Sequence, residues 1–188
     1  MPHYVAFMRA INVAGHARVS MSDVRDAFAA AGCRKVQTYI QSGNVIFESP
    51  AREAAAILRR ARRTLRRVLD DEPDIVCRSL RGIEELVKRA PFKNVEAGAG
   101  IKLYVAFLSQ TPPGRPKFPL VSATEGLEAI AMRGQEVFVV SRPKKNGFFG
   151  FPNNFIEKEF GISATTRNWS TVTKIAQFAQ TEADAARG

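Results

Sequence analysis

The apolar positions of the first half fall into short runs separated by two helical stripes. Residues 4–11, Tyr-Val-Ala-Phe-Met-Arg-Ala-Ile, make a brief and almost wholly apolar run, the pattern of a buried strand, and end at the loop residues Asn12 to Gly15. A helix is predicted over 21–31: Ser20 with Asp23 three residues on makes a capping box, Val19 can staple onto Val24, and Gly32 supplies the stop. Residues 35–40 and 44–48 are rich in Val, Ile, Tyr and Phe, and Ser42-Gly43-Asn44 between them signals a hairpin turn. Ser49-Pro50 opens a second helix, with proline at its first position, which reaches about residue 70. Ile75 to Leu80 make a fourth strand. The order is β-α-β-β-α-β, the split βαβ or ferredoxin-like plan.

The second half repeats that plan in degraded form, after a short helix near 82–90 that Pro91 terminates. Tyr4-Val5-Ala6-Phe7 recurs as Tyr104-Val105-Ala106-Phe107, and Gly43 and Phe47 find counterparts in Gly134 and Phe138, where strands near 127–132 and 135–141 flank Arg133-Gly134. A third helix opens at Pro152 and stops at Gly161. Ala164 to Arg167 stand where a fourth strand belongs, and a last helix covers roughly 170–180. The same element order around four identical residues points to duplication. The fold class expected is therefore α+β, with two ferredoxin-like repeats from an internal duplication, the second degenerate. Residues 1–81 form the first repeat; residues 82–188 hold the linker helix, the second repeat and the C-terminal helix. Phe7 and Gly43 are 36 positions apart but Phe107 and Gly134 only 27, so the second repeat has little room for its first helix, and Thr111 to Pro116 reads as loop. Conversely, 14 positions separate Phe138 from Pro152 against 3 between Phe47 and Pro50, which marks Ser141 to Phe151 as an insertion.

Composition narrows the chemistry. Among 188 residues, 28 Lys and Arg outnumber 18 Asp and Glu, for a formal charge of +10. Such a balance suits a polyanionic partner. No apolar run approaches the roughly 18 residues needed to span a membrane, and the start, Met-Pro-His-Tyr, lacks the pattern of a signal peptide, so the expected location is cytoplasmic. The two cysteines, Cys33 and Cys77, are far apart and fit no disulfide framework or paired-cysteine metal site. The two histidines, His3 and His16, rule out a zinc site of several imidazoles and leave little for a Ser-His-Asp triad. No Walker A, Gly-x-Gly-x-x-Gly or Gly-x-Ser-x-Gly pattern is present, so no cofactor is expected and no catalytic residue is assigned.

Four constellations could carry function. On the second helix, Ala54, Ile57, Leu58, Ala61, Leu65, Val68 and Leu69 share one arc, while Arg52, Arg59, Arg60, Arg62, Arg63, Arg66 and Arg67 cover the other. That face suits phosphates, or is simply a solvated surface. The insertion, Arg142-Pro143-Lys144-Lys145-Asn146-Gly147-Phe148-Phe149-Gly150-Phe151, sets basic residues beside aromatics, which suits a nucleic-acid backbone and its bases; the alternative is that its phenylalanines plug into the core. The loop after the first strand, from Arg9 through Asn12, Gly15 and Arg18, stands before a helix N-terminus and suits an anion, with the Gln41-Ser42-Gly43-Asn44 turn as a candidate neighbour; turn chemistry alone is the other reading. Finally, Asn153-Asn154 and Thr165-Thr166-Arg167-Asn168-Trp169 surround the single tryptophan with hydrogen-bonding groups, more than one helix cap requires.

The segments Arg9-Ala10-Ile11-Asn12-Val13-Ala14-Gly15, Tyr39-Ile40-Gln41-Ser42-Gly43-Asn44-Val45, Asn153-Asn154-Phe155-Ile156-Glu157 and Ala164-Thr165-Thr166-Arg167-Asn168-Trp169 resemble the bacterial Domain of Unknown Function 1697 family. The similarity covers nearly the whole chain, with four separated motifs in order. Where that family has Arg-Gly-Ile-Asn-Val-Gly-Gly, this chain carries Ala10 and Ala14, while Gly15 remains. The resemblance implies an α/β protein with ferredoxin-like repeats and carries no established activity.

Two functional readings follow. The favoured one is a nucleic-acid or polyanion binder, with Arg59, Arg63, Arg66, Lys144 and Lys145 on phosphates and Phe148, Phe149 or Trp169 stacking. The alternative is a metal-free enzyme or binder of a small anionic, phosphorylated metabolite, gripped by Arg9 and Arg167 beside Asn12 and Asn154, with His16 or Glu157 moving protons. A protein-interaction module is the third.

Overall fold

The computed structural model describes residues 1–9, 20–39, 43–69, 73–96, 100–114 and 116–185. The chain divides into two compact units, Met1–Ile83 and Glu84–Gly188.

The first unit runs β1 (His3–Met8), α1 (Met21–Ala30), β2 (Arg34–Tyr39), β3 (Asn44–Glu48), a 3₁₀ turn (Ala51–Glu53), α2 (Ala54–Leu69) and β4 (Ile75–Ser79). Its strands pair in the order β2-β3-β1-β4, each neighbour antiparallel. The capping box at α1 forms: the Asp23 N–H donates to Ser20 Oγ and the Ser20 N–H to the Asp23 carboxylate, both at 3.1 Å. Gly32, at φ +101°, turns the chain out of the helix as expected. The proline start of the second helix differs from expectation, because Pro50 caps a 3₁₀ turn, Ala51–Glu53, that widens into α2 at Ala54. Alternation along the strands sends Ala6, Met8, Val45, Phe47 and Ile75 to one face, where they pack on Val24, Ala27 and Phe28 of α1 and Ile57, Ala61 and Leu65 of α2. Phe47 anchors this core, with its ring centroid 5.5 Å from that of Phe28 and 5.7 Å from that of Tyr4. Burial pushes the thiols of Cys33 and Cys77 up to about 12, so neither is a nucleophile at neutral pH.

At the sheet edge, Lys35 sits at φ +45° in the irregular pairing of β2 with β3, and its ammonium donates to Glu48 Oε1 at 2.9 Å; His3 Nε2 lies 3.0 Å from the same oxygen. Glu48 is only 8% exposed. The hydrogen bond from Lys35 lowers its pKa, against the opposing effect of burial, and the nearby charges of Lys35, His3 and the N-terminus add to the lowering. A carboxyl whose folded pKa lies below its unfolded value near 4.5 stabilises the fold above that pH, and the contribution disappears as pH falls through the folded pKa. Urea unfolding between pH 7 and pH 3 is therefore expected to give a shallower acid-side loss of stability for Glu48→Gln than for the parent chain. Equal slopes would show that the cluster contributes nothing.

The second unit continues with α3 (Leu80–Lys88), which crosses the boundary, and then β5 (Lys102–Leu108), β6 (Leu120–Ser122), β7 (Leu127–Arg133), β8 (Glu136–Ser141), α4 (Asn153–Phe160), β9 (Ala164–Asn168) and α5 (Trp169–Ala185). The strand order is β6-β7-β8-β5-β9, antiparallel throughout. The short strand β6, within the stretch between β5 and β7, is not marked in the sequence pattern. Gly161, at φ +64°, closes α4 as expected. One face of this sheet carries Tyr104, Ala106, Leu108, Val137 and Val139 onto Phe155 and Ile156 of α4.

The registers correct one detail of the internal comparison. Tyr4 pairs with Phe47 in the first unit and Tyr104 with Val139 in the second, so Val139, and not Phe138, occupies the place of Phe47. The one-residue offset sends Phe138 to the opposite face, where its ring meets Phe92 edge-on at 5.8 Å. The same registers place Arg78 opposite Val5 and Arg167 opposite Val105, each in the last strand of its own unit. Each guanidinium donates to the carbonyl of the preceding residue, Cys77 or Thr166, at 2.9 Å.

Candidate functional site

The insertion after β8 is a small hairpin clamped at its base. The Ser141 hydroxyl, fully buried, donates to the Gly150 carbonyl at 3.0 Å, the Arg142 N–H donates to the Gly126 carbonyl at 2.8 Å, and Pro143 bridges to Phe149. At the tip, the Lys144 N–H donates to the Phe148 carbonyl and the Gly147 N–H to the Lys144 carbonyl, both at 2.8 Å. Gly147 takes the left-handed conformation, φ +79°, that this turn demands. The base is tight: a Cβ on Gly150 would stand 2.3 Å from the Glu125 carbonyl oxygen, and one on Gly126 2.5 Å from that of Arg142. Arg142 is held by an ion pair with Glu128 at 2.6 Å.

The clamped base projects an aromatic and cationic surface. Phe148 is 70% exposed and Phe151 57% exposed, values unusual for phenylalanine. Phe149 is half-buried, with Lys102 Nζ 4.3 Å from its ring centroid. Phe151 meets the ring of Tyr104 edge-on at 5.7 Å, and burial raises the Tyr104 hydroxyl pKa so that it stays protonated. Lys145 is exposed and Lys144 half-buried; among the described residues neither has a carboxylate partner. Of the two sequence readings of this insertion, the tip answers to the exposed one and Phe149 alone is partly packed. Lys102 and Phe151 join the surface although sequence reasoning did not single them out. Phe151 stood in the quoted insertion, whereas the place of Lys102 depends on strand pairing.

The arginines of α2 separate into two groups. Arg60 Nε donates to the Ala31 carbonyl at 2.8 Å, closing the C-terminus of α1, and Arg62 donates to the Ile75 carbonyl. Arg59, Arg63, Arg66 and Arg67 are exposed and have no carboxylate partner among the described residues. At 100° per residue these four span a narrow arc, a cationic stripe roughly 12 Å long at 1.5 Å rise per residue.

The remaining candidates are dispersed. Arg9, at the end of β1, lies 3.6 Å from the Asp74 carboxylate, and Asn44 is fully buried with its side-chain amide on the Tyr39 carbonyl at 3.0 Å. Asn12, Gly15, His16, Arg18, Gln41 and Ser42 lie outside the described residues. Asn153 is buried and accepts from Thr166 Oγ1 at 3.2 Å, while Asn154 and Asn168 are exposed. Arg167 is 9% exposed, and burial pulls its pKa down to about 10, which leaves it protonated at neutral pH. The Glu157 carboxylate accepts the Ala164 N–H at 2.8 Å. Among the described residues no three His, Cys, Asp or Glu side chains gather as a metal site, and no helix is long and apolar enough to cross a membrane.

Residues 1–138 match the family model described as Protein of unknown function (DUF1697). The chain belongs to that family. The match ends at Phe138, before the hairpin. Among solved structures, the conserved bacterial protein SP0830 from Streptococcus pneumoniae is 20% identical, with 94% of this chain and 97% of that one covered at a TM-score of 0.61. At that identity the likeness is one of fold. No curated protein matches the sequence.

Proposed function

We propose that the chain binds single-stranded nucleic acid through the hairpin of its second unit, and that the Arg stripe of α2 adds a less selective contact with phosphates. The observation that carries this reading is the exposure of Phe148 and Phe151 on a clamped hairpin beside Lys102, Lys144 and Lys145. Exposed rings offer every base a stacking surface, and neighbouring ammonium groups neutralise the backbone. The preference for single strands follows because bases in a duplex are already stacked. The rival reading, a phosphorylated metabolite gripped by Arg9 and Arg167, has less support. Arg9 lies beside Asp74, and the Arg167 guanidinium is buried and donates to the Thr166 carbonyl. We also propose a cytoplasmic location, consistent with two free thiols, and descent of the two units from one ferredoxin-like ancestor, with repeats at 1–81 and 82–188. The shared strand order and the paired positions of Arg78 and Arg167 support that descent.

The test is fluorescence anisotropy with labelled single-stranded RNA, single-stranded DNA and duplex DNA over a range of salt. Single strands are expected to bind more tightly than duplex. The log–log salt slope is expected near −2 from the three lysines alone, at about 0.7 per phosphate contact, and steeper by about 0.7 for each arginine of the stripe that also engages. Equal affinity for duplex DNA and single strands would remove the stacking role, and no binding at low salt would overturn the reading.

A further inference from the structure

A second site lies on the other face of β5. The helix α3 ends in a left-handed turn at Ala90, φ +45°, after which the Lys93 N–H donates to the Ala90 carbonyl and the Val95 N–H to the Phe92 carbonyl, both at 3.0 Å. These consecutive turns bury Phe92 and leave Lys93 and Glu96 exposed. Phe92 is wedged between Phe138 at 5.8 Å and Trp169 at 5.2 Å, edge-on to both. Beside this pair opens a cleft of about 480 Å³, lined by Phe92, Lys93, Glu96, Leu103, Trp169 and Thr173 among others. Its volume is that of a small-molecule site. Leu103 alternates with Lys102 and Tyr104 along β5, so the cleft and the hairpin aromatics lie on opposite faces of that strand.

The charges of the cleft define its occupant. Lys93 and Glu96 stand three residues apart, both line the cleft, and neither has an ion-pair or side-chain hydrogen-bond partner among the described residues, not even the other. We propose that the cleft binds a small aromatic zwitterion of the α-amino-acid class. The ring would lie against Trp169 and Phe92, the carboxylate would take the Lys93 ammonium, and the amino group would take the Glu96 carboxylate. A neutral hydrocarbon leaves both charges unused. An aromatic acid meets Lys93 but is repelled by Glu96, and an aromatic amine meets the reverse. A polyphosphate finds only one cation among the lining residues. The site is independent of the nucleic-acid reading.

Trp169 is the single tryptophan, so its emission reports the cleft directly. L-Phenylalanine, phenylacetate, phenethylamine and L-alanine are titrated as probes, with amide chemical shifts at 92–96, 101–103 and 169–173 as the second readout. Phenylalanine is expected to saturate both signals at millimolar concentration. Phenylacetate and phenethylamine are expected to bind about tenfold more weakly, and alanine not at all, one lost charge contact being about tenfold. Lys93→Gln and Glu96→Gln, both at exposed positions, are each expected to weaken phenylalanine about tenfold; Glu96→Gln is expected to raise phenylacetate to parity. Lys158→Gln, on α4, serves as the control. Absence of saturation with phenylalanine, equal binding of the singly charged analogues, or charge variants that match the control would each overturn the proposal.

Discussion

Replacing Phe148 and Phe151 together by alanine is expected to weaken single-stranded oligonucleotide binding by about 10²-fold. A base stacked on an aromatic side chain is worth about 1–3 kcal/mol. The lower part of that range applies to each ring, because both lie at the surface and retain water on their outer edges. The two losses then total about 2–3 kcal/mol, which converts to the stated factor at 1.4 kcal/mol per tenfold. Both rings are more than half exposed, so their removal costs little fold stability, and an unchanged thermal midpoint verifies that the loss is one of binding. Lys144→Ala with Lys145→Ala acts differently. It lowers affinity for all sequences alike and flattens the log–log salt slope by about 1.4, two contacts at about 0.7 each. If the ring variants lost no affinity while the lysine variants did, the hairpin would be an electrostatic contact without stacking. If neither lost any, binding would reside on the Arg stripe, and Arg59→Ala with Arg63→Ala and Arg66→Ala would then carry the effect.

Gly150→Ala is the second large effect, and it acts on the scaffold. The added methyl would fall 2.3 Å from the Glu125 oxygen, 3.2 Å from its carbonyl carbon and 3.1 Å from Leu127 Cγ, a group buried in the sheet. The first two are backbone atoms of the β6–β7 turn, so no rotamer change relieves the clash. Relief requires the hairpin base to lift, with loss of the buried hydrogen bond from Ser141. Overpacking costs about 1–3 kcal/mol and a lost buried hydrogen bond about 1. A destabilisation of about 2–4 kcal/mol is expected, read as a drop of roughly 8–16 °C in the unfolding midpoint of the second unit, at about 4 °C per kcal/mol. Gly147→Ala is the comparison. That position, unlike Gly150, has a left-handed backbone but nothing within 4 Å of the new methyl, so only conformational strain of about 1 kcal/mol is expected. Equal effects of the two variants would mean that the clamp at Gly150 is not tight.

The helix ends show where local chemistry sufficed. Ser20, Asp23 and Gly32 bound α1, and Pro152 and Gly161 bound α4, because a cap needs only residues within one turn of chain. The four-strand core of each unit was legible for a similar reason: period-two burial and a turn residue mark a strand wherever they occur. The short strand β6 was not, since three residues carry too little pattern, and it exists because β7 offers it an edge.

The candidate sites divide along the same line. Sequence marked the hairpin as basic and aromatic, and marked α2 as an Arg-covered helix. The seven arginines of residues 51–69 look alike in one dimension. Tertiary structure assigned Arg60 to the end of α1 and Arg62 to the Ile75 carbonyl, and left Arg59, Arg63, Arg66 and Arg67 to solvent. The same applies to Phe138, whose face depends on a pairing register that one residue reverses. The cleft beside Trp169 draws its walls from three separate stretches between 87 and 173, a convergence that no local pattern records. What the amino-acid sequence by itself determined is therefore the order of elements, their ends and the family; which side chains meet, and which charges stay unpaired, was decided by packing, because those contacts are made between segments far apart in the chain.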